Sequence, residues 1–174
     1  KGFIDVNNTL GILCLARSLL AFNDNNINQS YELAKKSEKF IEHFVPAVAH
    51  LARLHYNINN NQAKALKIIE NTWKITPHYD LAKSYLSIIN DVPIEKRLKK
   101  IERLLSLNPE HFASHIFASQ VALDTKNYSV ARNHLQSASN IKETVALCQM
   151  MIELEEKDHE NVVLKEESLR KWQK

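Results

Sequence analysis

The stretch SQVALDTKNYSVARNHLQSAS, residues 119–139, decides how the whole chain is read. Ser119 and Ala122 share one face of a helix, a break falls over Thr125 to Asn127, and Ala131, Leu135 and Ala138 share one face of the helix that follows. Small side chains at those places let two helices cross closely, and Leu135 fills the space between them. The stretch therefore predicts an antiparallel helix pair with its close contact written into the alanines.

Working outward, the same arrangement recurs at Leu51, Ala52, Ala65, Ile69 and Pro77. Pro77 and Pro109 each sit where a second helix must stop, because proline has no amide hydrogen to continue the ladder. Breaker-rich gaps at Asn23 to Asn28, Asn57 to Asn61, Asn90 to Pro93, Thr125 to Asn127 and Lys157 to Glu160 mark turns within pairs. Breaks near Glu42 to Val45, Thr76 to Asp80, Asn108 to Glu110 and Asn140 to Lys142 separate one pair from the next. The result is about ten helices in roughly five hairpins, each near the 31 to 34 residues of a helix-turn-helix repeat. The spacing is that of tetratricopeptide repeats, so the expected fold is all-α: a right-handed superhelix of antiparallel hairpins forming one domain over residues 1–174. Two details stay open or irregular. In the third hairpin either Leu81 and Ala82 or Ser84 and Tyr85 could hold the close-packing positions, and the first hairpin carries an Asn-rich insertion.

Composition agrees with helices joined by short polar turns. Only two glycines and four prolines occur in 174 residues, far below ordinary usage. The net charge of +3 arises from lysines and arginines interleaved with carboxylates along the chain, which does not imply nucleic acid. Cys14 and Cys148 lie in apolar periodic stretches, and two cysteines make neither a disulfide framework nor a four-ligand zinc site. They read as buried thiols in a reducing, cytoplasmic setting. No run approaches the roughly 18 to 20 apolar residues of a membrane span. Beginning at Lys1, the chain reads as a soluble piece of a longer protein.

The segment WKITPHYDLAKSY, residues 73–85, follows VPAVAHLARLHY and ALKIIENTWK. It resembles the bacterial HemY family of membrane-anchored tetratricopeptide proteins associated with haem synthesis. RLKKIERLLSLNPEH, VALDTKNYSVARNHLQSAS and LCQMMIELEEKD resemble the family's later segments in the same order, so the likeness covers about residues 28 to 158. Its most specific part is Trp73, Lys74, Pro77, His78, Asp80, Leu81 and Ala82. Tyr79 stands where the family commonly has a second proline, and Asn-rich turns replace Gly-Asp turns. The resemblance implies a late stage of haem synthesis without a defined enzymatic activity, and an inner-membrane anchor amino-terminal to the segment present here.

No phosphate loop, nucleophile elbow or His-Glu-x-x-His motif occurs, so no catalytic residue, metal or cofactor is assigned. His111 and His115 are one helical turn apart, but an opening-turn place for the first and a packing place for the second explain them better than ligation. His50 and His55 do not share a face, and His55 falls where the repeat takes a large residue. Cys148, Met150 and Met151 read as core fillers. At the junction before the third hairpin, Asp80 is expected to cap the next helix while His78 braces the turn; with Trp73 and Pro77 these are structural residues.

The remaining candidate surface is the inner groove, lined by the exposed side of each hairpin's first helix. Arg53, Tyr56 and Asn57, then Lys83, then Gln120 and Asp124, fall there. Arg and Lys beside Tyr and Asn suit an extended peptide that is acidic or ends in a carboxylate. The leading expectation is a non-catalytic scaffold for protein partners of the haem pathway. The alternatives are a haem or porphyrin carrier using His or Cys on the groove, and a general assembly chaperone of the inner membrane.

Overall fold

The computed structural model describes residues 5–158, and among those residues it contains nine α-helices and no strand. The helices are α1 (Val6–Asn23), α2 (Ile27–Phe40), α3 (Val45–Asn59), α4 (Gln62–Trp73), α5 (Tyr79–Ile88), α6 (Ile94–Ser106), α7 (Phe112–Asp124), α8 (Tyr128–Ile141) and α9 (Val145–Lys157). The tenth helix, expected after the break at Lys157 to Glu160, falls outside the described residues. The fold is all-α and tetratricopeptide-like. The helices form two compact units, Lys1–Asn108 and Pro109–Lys174.

One turn chemistry is used three times. Asn25, Asn60 and Lys126 take left-handed backbone with φ of 61, 46 and 58°, and each precedes an asparagine. Those asparagines, Asn26, Asn61 and Asn127, cap α2, α4 and α8 through side-chain oxygens that accept from Gln29, Lys64 and Val130 amides. The left-handed residue reverses the chain and the cap satisfies one orphan donor of the next helix. Ser18 and Asn26 are separated as Ser119 and Asn127 are, so the Asn-rich insertion expected in the first hairpin is absent. The extra residue lies instead in the second hairpin, between Ala52 and Asn61.

Counting from each cap gives the repeat its physical content. Ser30, Ala34 and Ser37 on α2, Ala65, Ile69 and Thr72 on α4, and Ala131, Leu135 and Ala138 on α8 occupy matching places and are all buried. On the partner helices Ser18, Ala52 and Ser119 match, and the residues three further on, Ala21, His55 and Ala122, are buried too. In the third hairpin Leu81, Ala82 and Tyr85 are all buried, and Ser84 is half-buried. Its two helices also cross more widely than those of the other hairpins, because Arg97, Ile101 and Leu104 replace the small set on α6 and Tyr85 stands between. The Tyr85 hydroxyl donates toward Glu70 Oε1 and the Lys100 carbonyl, each at 3.1 Å, while Arg103 Nη2 donates to Glu70 Oε2 at 2.9 Å.

Helices α1 and α2 approach tightly at Gly11. A Cβ there would overlap Ile41 Cγ1, and the Gly11 carbonyl accepts from Ser37 Oγ at 2.7 Å. In the first unit the fully buried side chains include Trp73, Ile69, Leu81, Ile88 and Leu104, each contributing about 1.5 to 3 kcal/mol by leaving water. The second unit closes around Leu123, Leu135, Leu147, Met151 and Leu154, with Met150 packed at its edge. Both cysteines are half-buried rather than fully buried. No helix among the described residues is long and apolar enough to cross a membrane.

Candidate peptide-binding face

In the first unit, Arg53, Tyr56 and Asn57 follow the buried Ala52 on α3, which turns them away from the core. Arg53 and Asn57 are exposed, and Tyr56 is half-buried. Lys83 follows the buried Ala82 on α5 and is also exposed. Tyr56 reaches Asp91 Oδ2 from its hydroxyl at 3.4 Å. In the second unit, Gln120 and Asp124 hold the matching places on α7 and bond each other, Gln120 Nε2 donating to Asp124 Oδ1 at 3.1 Å.

Arg53 is held rather than loose. Its Nη2 donates to His50 Nδ1 at 2.9 Å, and its guanidinium lies 5.0 Å from the Phe22 ring centroid. A guanidinium only donates, so His50 Nδ1 carries the lone pair and Nε2 carries the proton. That Nε2 faces Ser18 Oγ at 3.1 Å and Ser30 Oγ at 3.2 Å, and Ser18 Oγ in turn donates to the Ser30 carbonyl at 2.6 Å. Burial first, and the Arg53 charge second, lower the His50 pKa from 6.5 to about 4. The imidazole stays neutral, and its network ties α1, α2 and α3 together beneath an exposed cation. Neither serine was singled out by the sequence, because their bond to His50 crosses three helices.

A concavity of about 370 Å³ opens between α2, α3 and α4 on other side chains. Tyr31, Lys35, His55 and Lys64 lie at one part of its lining, with Glu38 and Glu42 further along the chain. Tyr31 and His55 meet edge to face at 5.1 Å between ring centroids, and burial, then Lys64 and Lys35, lower the His55 pKa.

At the junction before α5 one expectation is corrected. His78, not Asp80, caps α5: its Nδ1 accepts from the Asp80 amide at 3.2 Å. The helix starts at Tyr79, which leaves Asp80 in the first turn, where its carboxylate complements the helix dipole 3.5 Å from His78 Nδ1. Trp73 and Pro77 are buried. His111 repeats the device on α7, accepting from the Ala113 amide at 3.1 Å. His115 does not pair with His111 but with His134 of α8. No group of three or more His, Cys, Asp or Glu side chains suited to a metal occurs among the described residues.

No family model matches the chain. The chain is similar to the probable magnetosome protein Mms48 of Magnetospirillum gryphiswaldense, at 25% identity over 126 residues, which is 72% of this chain. It spans only 28% of that relative's length. Among solved structures it is similar to MamA of Desulfovibrio magneticus RS-1, with a TM-score of 0.49, 11% identity and 94% and 93% of the two chains covered. A thermophilic TPR protein of Thermus thermophilus gives a TM-score of 0.48 and 14% identity, with 94% and 97% covered.

Proposed function

We propose that this chain is a non-catalytic interaction module that takes an extended, acidic or carboxylate-ended peptide along the first-helix face of its hairpins. The observation that supports this most is Arg53: an exposed arginine whose guanidinium is braced by His50 and Phe22 and uses one of its five N–H donors on His50. A braced arginine loses less side-chain entropy when it grips a carboxylate, and it offers forked donors that lysine lacks. Tyr56 and Asn57 add an aromatic surface and an amide, and Lys83 extends the positive character to the next hairpin.

Two biological settings are open to such a module. The resemblance carried by Trp73 to Ala82 supports a partner in a late step of haem synthesis, with the longer protein held at the bacterial inner membrane. Similarity to Mms48 supports a magnetosome-associated partner instead. A haem-carrier role is separated from both by adding haem and watching for a shifted Soret band, which the scaffold reading predicts will be absent. The binding face itself is tested by Arg53→Ala with Lys83→Ala. Capture of an immobilised acidic peptide should be lost while helicity is retained and the melting temperature falls only modestly, because His50 Nδ1 loses its Arg53 donor, and capture at the original strength would remove this face from consideration.

A further inference from the structure

We propose that His115 and His134 form a two-histidine site for a divalent transition-metal ion of the Zn²⁺ or Cu²⁺ class. The two residues face each other across the α7–α8 hairpin, with their Nδ1 atoms 3.1 Å apart and their ring centroids 5.4 Å apart, tilted by 43°. Two imidazole nitrogens bound to one ion at about 2.0 to 2.1 Å lie roughly 2.9 to 3.4 Å apart, from a right angle to a tetrahedral angle at the metal. The observed separation falls inside that span, so turning both rings by roughly 35 to 45° aims both lone pairs at one point without moving the helices apart. Imidazole is the donor that ions of this class prefer.

Without metal, one Nδ1 carries a proton and donates it to the other. With metal, that proton moves to Nε2 of its own ring, so two neutral imidazoles bind without net proton release. Burial, then the neighbouring His115, lower the His134 pKa, which keeps that ring a ligand rather than a cation near neutral pH. Both rings are half-buried, which leaves room for water to complete the coordination. No third His, Cys, Asp or Glu of the described residues joins the pair, so the site is open and exchangeable rather than structural.

Calorimetric titration of the protein with zinc chloride at neutral pH should show a one-to-one event. His134→Gln and His115→Gln should each weaken it at least tenfold, whereas His43→Gln should leave it intact. On the unaltered protein, Cu²⁺ paramagnetic resonance should show hyperfine coupling to two imidazole nitrogens, which keeps the test independent of how the variants fold. No zinc binding, zinc binding that persists at full strength in His134→Gln, or a copper spectrum with fewer than two imidazole nitrogens would each overturn the proposal.

Discussion

The guanidinium of Arg53 donates to Nδ1 of His50 at 2.9 Å, and in doing so fixes which proton the buried imidazole keeps. Protonating Nδ1 removes that acceptor and sets two cations side by side. The folded-state pKa of about 4 lies below the ordinary 6.5, so this stabilisation is complete above about pH 6.5 and is lost as pH falls toward 4. His55 and His134 are shifted in the same direction. Melting temperature should therefore fall between pH 7 and 4.5. The His50 share is on the order of 1 to 3 kcal/mol after allowance for solvent screening at the Arg53 side. His50→Gln should flatten the profile; an unchanged slope in that variant would mean that the imidazole is not part of the titrating network.

At the α7–α8 crossing, Ala131 is fully buried among Ala122, Leu135 and Leu147. Replacing it with Leu overpacks that crossing and should cost about 1 to 3 kcal/mol, whereas Lys126→Ala should be nearly neutral. Lys126→Gly tests the turn itself, since the left-handed backbone that penalises lysine is free for glycine. That variant should gain up to about 1 kcal/mol, the strain relief being partly offset by a more flexible unfolded chain. Thermal melts of the three variants should rank glycine, alanine and then the leucine variant.

Much of this was readable in the sequence, and the parts that were not share a cause. The set Ala131, Leu135 and Ala138 announced itself because helix period and close crossing demand small residues at fixed steps along one chain segment. The third hairpin resisted because Ala82 and Tyr85 are both buried, and what fixes Tyr85 is a carboxylate on a different helix, Glu70. Likewise the spacing along the chain sets His115 beside His111, one turn away, while its real partner lies across a turn on α8. Asp80 was the natural cap by residue type, but the backbone starts the helix early enough for His78 to take that place.

Gly11 sets two effects against each other. Alanine there raises helix propensity by up to about 1 kcal/mol, but its Cβ would overlap Ile41 Cγ1 and force that side chain out of its place against α1. Gly11→Ala should be destabilising by about 1 to 2 kcal/mol in chemical denaturation. A more stable variant would show that the α1–α2 crossing is looser than described.

Tyr85→Phe removes a hydroxyl shared by Glu70 and the Lys100 carbonyl without changing the shape of the core. Loss of the pair should cost about 1 to 3 kcal/mol, because Glu70 keeps Arg103 while the carbonyl loses a donor. Denaturant midpoints of the two proteins measure it directly; equal midpoints would mean that the hydroxyl makes no net contribution there.

The measurement that bears most directly on the central claim is a residue-by-residue amide titration by nuclear magnetic resonance, adding a short peptide rich in Asp and Glu with a free carboxyl end. Saturable shifts should concentrate at Arg53, Tyr56, Asn57 and Lys83, with an affinity near micromolar, roughly −8 kcal/mol, that weakens as salt rises. Shifts gathered instead around Lys35, His55 and Lys64 in the concavity between α2 and α4, or no saturable shifts at all, would contradict that claim.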